Sequence, residues 1–302
     1  MIHQINLEGK DKVEVAIERI KDFATIFKSE ADRGYYLAFS GGKDSVVCKK
    51  LLDLAGVKYD AHYRITSVDP PELVRFIKTE YPDVKMEHTY WEKDGRFHKA
   101  GDPITMWNLI PEKLMPPTQI VRYCCEALKE DGGDGRLTVT GVRWAESSNR
   151  KANQGLVTII GNKKENQEMI DSGNFQQTRK SGVILVNDND EARNTIEQCY
   201  RRRKTILNPI IDWDDDEVWE FIREYKVPYC NLYDNGFKRL GCIGCPMGTA
   251  QKKEFELYPK YKNAYLRAFE RMIQIRKERG LEVAWETGED VMEWWINKEQ
   301  KK

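Results

Sequence analysis

No stretch of the chain approaches the roughly 18 consecutive apolar residues that a membrane-spanning helix needs. The opening Met-Ile-His-Gln-Ile-Asn-Leu-Glu is not a basic-then-apolar leader either. A cytoplasmic location without membrane contact is therefore expected. Net charge is also missing, since 49 Lys and Arg balance 49 Asp and Glu. No global field then favours nucleic acid or anionic lipid, and any such contact must be local. The chain has no internal repeat. Its seven cysteines are odd in number and unevenly spaced, which argues against a secreted disulfide framework and for metal or redox chemistry.

What is present is length: 302 residues suffice for one large α/β domain with an appendage. Val13, Ala16, Ile17, Ile20, Phe23, Ala24 and Phe27 recur at helical spacing and predict an amphipathic helix before a first strand at 35–39. Helix 44–55, strand 59–65, helix 71–80, strand 84–90, helix 104–114 and strand 137–142 follow in alternation. This order predicts an α/β fold, a parallel twisted sheet flanked by helices on both faces. From about 153 to 193 the chain is polar, with short apolar runs at 156–160 and 183–186. A surface insertion such as a hairpin, with little core, is expected there. Asp214-Asp-Asp-Glu217 opens a further helix, Asp214 as N-cap and Glu217 as its reciprocal partner. Beyond Gly248 the chain is helical in character. The stripe Phe255, Tyr258, Tyr261, Tyr265, Phe269 and Met272 reads as core packing.

The segment Tyr36-Leu-Ala-Phe-Ser-Gly-Gly-Lys-Asp-Ser45 is an apolar strand entering a phosphate cradle. Gly41 and Gly42 let the backbone turn tightly and bring N–H groups to an oxyanion. Ser40 and Ser45 add hydroxyls, Lys43 adds a point charge, and the helix that follows aims its positive end at the anion. The expected ligand is a nucleotide. The loop is not the Walker type, which needs Gly, four residues, then Gly-Lys-Ser/Thr.

Two cysteine pairs, Cys124-Cys125 and Cys242-Ile-Gly-Cys245, lie far apart in the chain. They make sense if the fold brings them to one centre, because four thiolates suit an iron-sulfur cluster or structural zinc. Neighbours in a strand point apart, so Cys124 and Cys125 can share a centre only on a helix or turn. Gly241 and Gly244 are expected to let backbone N–H groups approach the sulfurs. Cys48, Cys199 and Cys230 read as bystanders, Cys230 being close enough in sequence to the cluster to be a candidate sulfur carrier. The basic run Arg201, Arg202, Arg203, Lys204 could lie at the mouth of the anion site or touch a nucleic-acid phosphate.

Together Ser40–Ser45, Ser67-Val-Asp69, Cys124-Cys125, Gly141-Val-Arg-Trp-Ala-Glu-Ser147 with Arg150, Pro209-Ile-Ile-Asp-Trp213, Val218-Trp219 and Gly241-Cys-Ile-Gly-Cys245 resemble the phosphoadenosine phosphosulfate (PAPS) reductase family. This family belongs to the adenine nucleotide alpha-hydrolase superfamily with its pyrophosphatase loop. The cysteine pattern is similar to that of 4Fe-4S adenylylsulfate reductases and related sulfur-transfer enzymes. The resemblance implies a nucleotide-binding domain over 1–250 and a helical C-terminal extension over 251–302. It implies a 4Fe-4S cluster on Cys124, Cys125, Cys242 and Cys245, and an adenine nucleotide held by Ser40, Gly41, Gly42, Lys43, Asp44, Ser45, Asp69, Gly141 and Arg143. Lys43, Asp44 and Arg143 would be catalytic. Arg143 would grip the anion in a two-pronged way, Glu146 would orient it and Asp44 would help hold Mg²⁺. One departure matters. Reductases of this family attack with a thiolate near the C-terminus, and no cysteine follows Cys245. The complete loop goes with members that split ATP between the α and β phosphates, so ATP-dependent adenylation coupled to sulfur transfer from a sulfur donor is the leading expectation. The alternatives are a reductase of adenylylsulfate or PAPS that uses Cys230 or a thiol reductant protein, and a nucleotide-binding regulatory module.

Overall fold

The computed structural model describes residues 2–5, 9–27, 32–95, 97–130, 132–161, 163–179 and 182–297. They fall into two compact units: Met1–Tyr63, Arg75–Lys85 and Gly133–Arg239 make one, and Arg64–Val74, Met86–Gly132 and Leu240–Lys302 make the other. Among the described residues the strands are β1 (Tyr35–Ala38), β2 (Tyr59–Arg64), β3 (Lys85–Glu87), β4 (Leu137–Val139), β5 (Val157–Ile160), β6 (Phe175–Gln177), β7 (Gly182–Leu185) and β8 (Thr205–Leu207). The helices are α1 (Lys12–Ala24), α2 (Lys43–Ala55), α3 (Pro71–Glu80), α4 (Met106–Lys113), α5 (Tyr123–Cys125), α6 (Ser148–Asn153), α7 (Lys163–Asp171), α8 (Asp190–Cys199), α9 (Asp215–Glu224), α10 (Gln251–Leu257), α11 (Pro259–Glu278) and α12 (Gly288–Ile296).

The strands form one sheet in the order β3-β2-β1-β4-β8-β5-β7-β6. β1 pairs parallel with β2 and β4, and β4 parallel with β8. Tyr35 and Leu37 of β1 and Leu137 and Val139 of β4 have no exposed surface, as parallel strands covered on both faces require. The chain builds outward from β1 to β2 and β3, then returns to lay β4 on the other side of β1. The strand order therefore reverses between β1 and β4. At such a switch point the loops beyond the carboxyl ends of the two strands diverge and leave a crevice. The loops that leave here are Phe39–Gly42 and Thr140–Arg143.

The stretch from 153 to 193 is not a superficial insertion. β5 pairs antiparallel with β8 and β7, and β6 antiparallel with β7, so the sheet is mixed rather than wholly parallel. Val157, Ile159 and Val183 are fully buried. These strands are only three or four residues long, and the polar α7 between them conceals their apolar positions in any average over the segment.

In the second unit the aromatic stripe is core, as its spacing predicts. Tyr265, Phe269 and Met272 of α11 pack with Phe255 of α10 and Trp295 of α12. The Tyr265 and Trp295 rings lie 5.0 Å apart, and Phe269 meets Trp295 edge-on at 5.5 Å. Tyr258 and Tyr261 only edge this core; their hydroxyls donate to the Glu72 carboxylate and the Asp69 carbonyl, both at 3.0 Å. No described helix is long and apolar enough to cross a membrane.

Candidate functional site

The loop after β1 enters α2 through Gly42 as N-cap, and Gly41 takes φ of +72°, where a side chain would be strained. The two serines brace this turn from within. Ser45 Oγ donates to the Gly42 carbonyl at 2.9 Å, Ser40 Oγ donates to Ser45 Oγ at 3.2 Å, and Gly42 N–H donates to Ser40 Oγ at 3.4 Å. Lys43 N–H donates to the Tyr233 hydroxyl at 2.9 Å. Tyr233 thus sits at the positive end of α2, a partner that no sequence pattern announces.

At the end of β4, Gly141 rests against the first turn of α2. A Cβ there would lie 2.8 Å from the carbonyl carbon and Cβ of Asp44 and 2.9 Å from its oxygen. Only a glycine lets the two loops approach this closely. Gly141→Ala should cost about 1–3 kcal/mol of stability by overpacking. Urea unfolding of the wild type and the variant would measure the loss.

This approach sets up an ion network. Arg143 is 2% exposed. Its Nε donates to Asp44 Oδ1 at 2.7 Å, one terminal nitrogen to Asp215 Oδ1 at 2.6 Å, and the other to the Trp213 carbonyl at 3.2 Å. The buried Lys43 places Nζ 3.2 Å from the same Asp215 Oδ1 and 3.8 Å from Asp44 Oδ2. Burial pushes the Asp44 carboxyl up, although Arg143 and Lys43 draw it down. At Asp215 burial also pushes upward, but the Arg143 hydrogen bond and Lys43 outweigh it and leave the carboxyl below its ordinary value. Glu146 accepts from the backbone N–H of Arg143 at 3.1 Å, a capping contact that does not touch the guanidinium.

Arg143 therefore stands beside the loop, but its two-pronged grip closes on carboxylates of the protein. The Pro209–Trp213 motif acts here through the Trp213 carbonyl. Asp215 escapes a sequence reading because it sits inside a capping run, where Asp214 and Glu217 already explain the acidity. Asp69, expected among the nucleotide ligands, belongs to the second unit and closes a turn, Oδ2 accepting from Thr66 N–H at 2.8 Å and Oδ1 from Thr66 Oγ1 at 2.7 Å.

The basic run is displaced from the mouth of the loop. It immediately precedes β8, which runs parallel with β4, so it lies at the opposite end of the sheet from Ser40–Ser45. Arg201 pairs with Asp32 at 2.9 Å.

All four paired cysteines lie in the second unit. Cys124 and Cys125 occupy α5, which continues as a π-helical turn over Glu126–Glu130, a form frequent at functional sites. Cys242 and Cys245 close a turn, Cys245 N–H donating to the Cys242 carbonyl at 3.2 Å. The four thiols share one electrostatic neighbourhood. Cys124 is pushed up by the neighbouring Cys125 thiol, by burial, and by the charges of Cys125, Cys242 and Cys245. Cys125 is held low by the Cys124 thiol and by Arg122, whose guanidinium donates to its Sγ at 3.2 Å. Lys129 is held above its usual value by the charge of Cys242. Four soft donors with two cations to offset their charge fit a thiolate-bound centre. Among the described residues no three His, Cys, Asp or Glu groups are placed to hold a single metal ion.

Gly244 serves differently from expectation. Its N–H donates to Glu254 Oε2 at 2.7 Å instead of facing a sulfur, and its carbonyl accepts from Gln251 at 2.9 Å. Cys48 and Cys230 are fully buried, and an apolar, buried thiol is inert.

A family model described as the phosphoadenosine phosphosulfate reductase domain matches residues 34–248. The chain belongs to the phosphoadenosine phosphosulfate reductase domain family. The matched span holds the Ser40–Ser45 loop, Gly141, Arg143 and the four paired cysteines, and the mixed sheet agrees with an adenine nucleotide alpha-hydrolase-like fold. An uncharacterized protein of Methanocaldococcus jannaschii is 42% identical over 272 residues, covering 87% of this chain and 55% of that protein. A second from the same organism is 26% identical over 243 residues, covering 75% and 40%. The chain thus spans about half the length of these relatives. The adenosine 5'-phosphosulfate reductase of Oceanobacillus iheyensis is 36% identical over 70 residues, 23% of this chain and 25% of that one.

Proposed function

We propose that this family member binds ATP at the Ser40–Ser45 loop and adenylates an oxygen of an acceptor, which a sulfur donor then attacks. The observation that carries the reading is the closure of Gly141 on Asp44 at the switch point, which sets two buried cations, Lys43 and Arg143, beside the positive end of α2. In the first step the acceptor oxygen attacks the α-phosphorus and the bond to the β-phosphate oxygen breaks, its electron pair leaving with pyrophosphate. Lys43 and the loop amides stabilise that growing charge. Arg143 holds Asp44 through Nε, while the terminal nitrogen that Asp215 now occupies would face the ligand's oxyanion, and Asp44 is the carboxylate that would help hold Mg²⁺. In the second step the sulfur donor attacks the acceptor atom that bears the adenylated oxygen, and the bond to that oxygen breaks with its electron pair leaving on AMP.

Cys124, Cys125, Cys242 and Cys245 would hold a 4Fe-4S cluster, which when bound would supply a site for sulfur or electrons. Anaerobically purified protein is expected to be brown and to contain about four iron and four sulfide per chain. Cys242→Ser should lose most of both. Zinc in place of iron in the wild-type protein would refute the assignment. With ATP and a sulfide donor, pyrophosphate is expected once the acceptor is supplied. ATP bound tightly but never turned over with any acceptor would favour a regulatory module instead.

The relatives' names support a second reading, reduction of adenylylsulfate or PAPS by an external thiol. Cys230 is too deeply buried to serve as the nucleophile, so sulfite release would need a thiol reductant protein such as thioredoxin.

A further inference from the structure

Two cations of the loop site share one carboxylate oxygen. Asp215 Oδ1 lies 2.6 Å from Arg143 and 3.2 Å from Lys43. The burial of the three partners is unequal: the side chains of Arg143 and Lys43 are 2% and 8% exposed, and that of Asp215 is 63% exposed. A buried cation needs a counter-charge. Asp44 supplies one from inside the network, and Asp215 supplies the other from the rim.

Helix α9 does not need Asp215 for its cap. The N-cap of α9 is Asp214, whose side chain accepts from Glu217 N–H and is answered by Glu217 in a full capping box. A carboxylate with most of its surface in water loses little on releasing a partner, whereas the cations behind it cannot follow it into solvent. One oxygen held between a lysine and an arginine also makes the charge-assisted contacts that a single phosphate oxygen makes with such cations.

We infer that Asp215 is a built-in stand-in for the ligand's oxyanion and a specificity-determining residue of the loop. A nucleotide is admitted by displacing the Asp215 carboxylate from Lys43 and Arg143, after which Asp215 returns to water. A ligand without a strong oxyanion has nothing to exchange for it. The inference rests on the nucleotide-binding reading above.

The test is calorimetric titration of the wild type and of Asp215→Asn with ATP, inorganic pyrophosphate and adenosine, in buffer containing EDTA so that no divalent ion intervenes. Asp216→Asn is the control. It removes the same charge one residue away, from an exposed side chain. Asp215→Asn should bind ATP and pyrophosphate about tenfold more tightly, the effect of losing one competing ion contact, with adenosine unmoved. Asp215→Ser should repeat the gain if asparagine makes contacts of its own. Unchanged or weaker binding in both Asp215 variants, with the wild type binding ATP, overturns the stand-in alone. An equal gain in Asp216→Asn also overturns it, because general charge would then explain the effect. Absence of ATP and pyrophosphate binding in every variant overturns the nucleotide reading and this inference together.

Discussion

Arg143→Met should destabilise the protein by about 3–5 kcal/mol, the cost of breaking a buried ion pair by removing one partner. The side chain of Arg143 is 2% exposed and that of Asp44 25% exposed, so the carboxylate left behind cannot fully recover its water. Methionine fills much of the arginine stem's volume, which leaves the charge as the main thing lost. The pH dependence distinguishes this cause from lost packing. Burial already raises Asp44 above its ordinary value with Arg143 in place, and removing the guanidinium raises it further. A carboxyl whose folded pKa exceeds its unfolded value makes the fold less stable as pH rises, because the folded state holds the proton longer. The penalty is therefore complete above the raised folded pKa of the variant, shrinks as pH falls through it, and is gone below the unfolded value of about 3.9. Urea unfolding of wild type and variant at pH 7.5 and pH 4.5 should show the gap narrowing in acid. A gap of constant size would mean that Arg143 matters as packing volume and not as the counter-charge of Asp44.

The same network shows what a sequence can carry. The α/β alternation, the Ser40–Ser45 loop and the Asp214 capping box are local patterns, written within a few residues of one another, and each is found where its spacing places it. The partners of the loop are not local: Tyr233 meets Lys43 across 190 positions and Asp215 meets Arg143 across 72. Neither separation has a period, so no pattern in the chain announces the contact. The glycines illustrate the boundary. Gly41 is legible because a tight turn demands it, but Gly141 stands out only through the family resemblance, and the reason it must be glycine is not legible until Asp44 is seen against it. In the cysteine region, the need for Cys124 and Cys125 to lie on a helix or turn follows from strand geometry alone. Arg122 and Lys129, which serve those sulfurs, read in sequence only as charges flanking a helix.

Gly244→Ala should be the most damaging small substitution in the second unit. Gly244 has φ of +73°, a conformation that costs an L-residue roughly 1–2 kcal/mol. The added Cβ would also lie 2.4 Å from the Phe255 ring and 3.3 Å from that of Tyr265. Both rings are buried in the aromatic core that joins α10, α11 and α12, so neither can swing aside freely, and overpacking adds about 1–3 kcal/mol. Because Glu254 and Gln251 grip the Gly244 peptide from both sides, the turn cannot rotate away from the clash without losing those hydrogen bonds. The strain then falls on Cys242 and Cys245. A total loss of roughly 2–5 kcal/mol is expected, and if the turn holds the proposed cluster, iron retention should fall alongside it. Gly241→Ala is the matched comparison, since a Cβ there meets no atom within 4 Å. It should leave both thermal unfolding and iron content near the wild type. Should Gly244→Ala melt early yet keep all the iron that the proposed cluster would bring, α10 braces the fold without positioning the sulfurs.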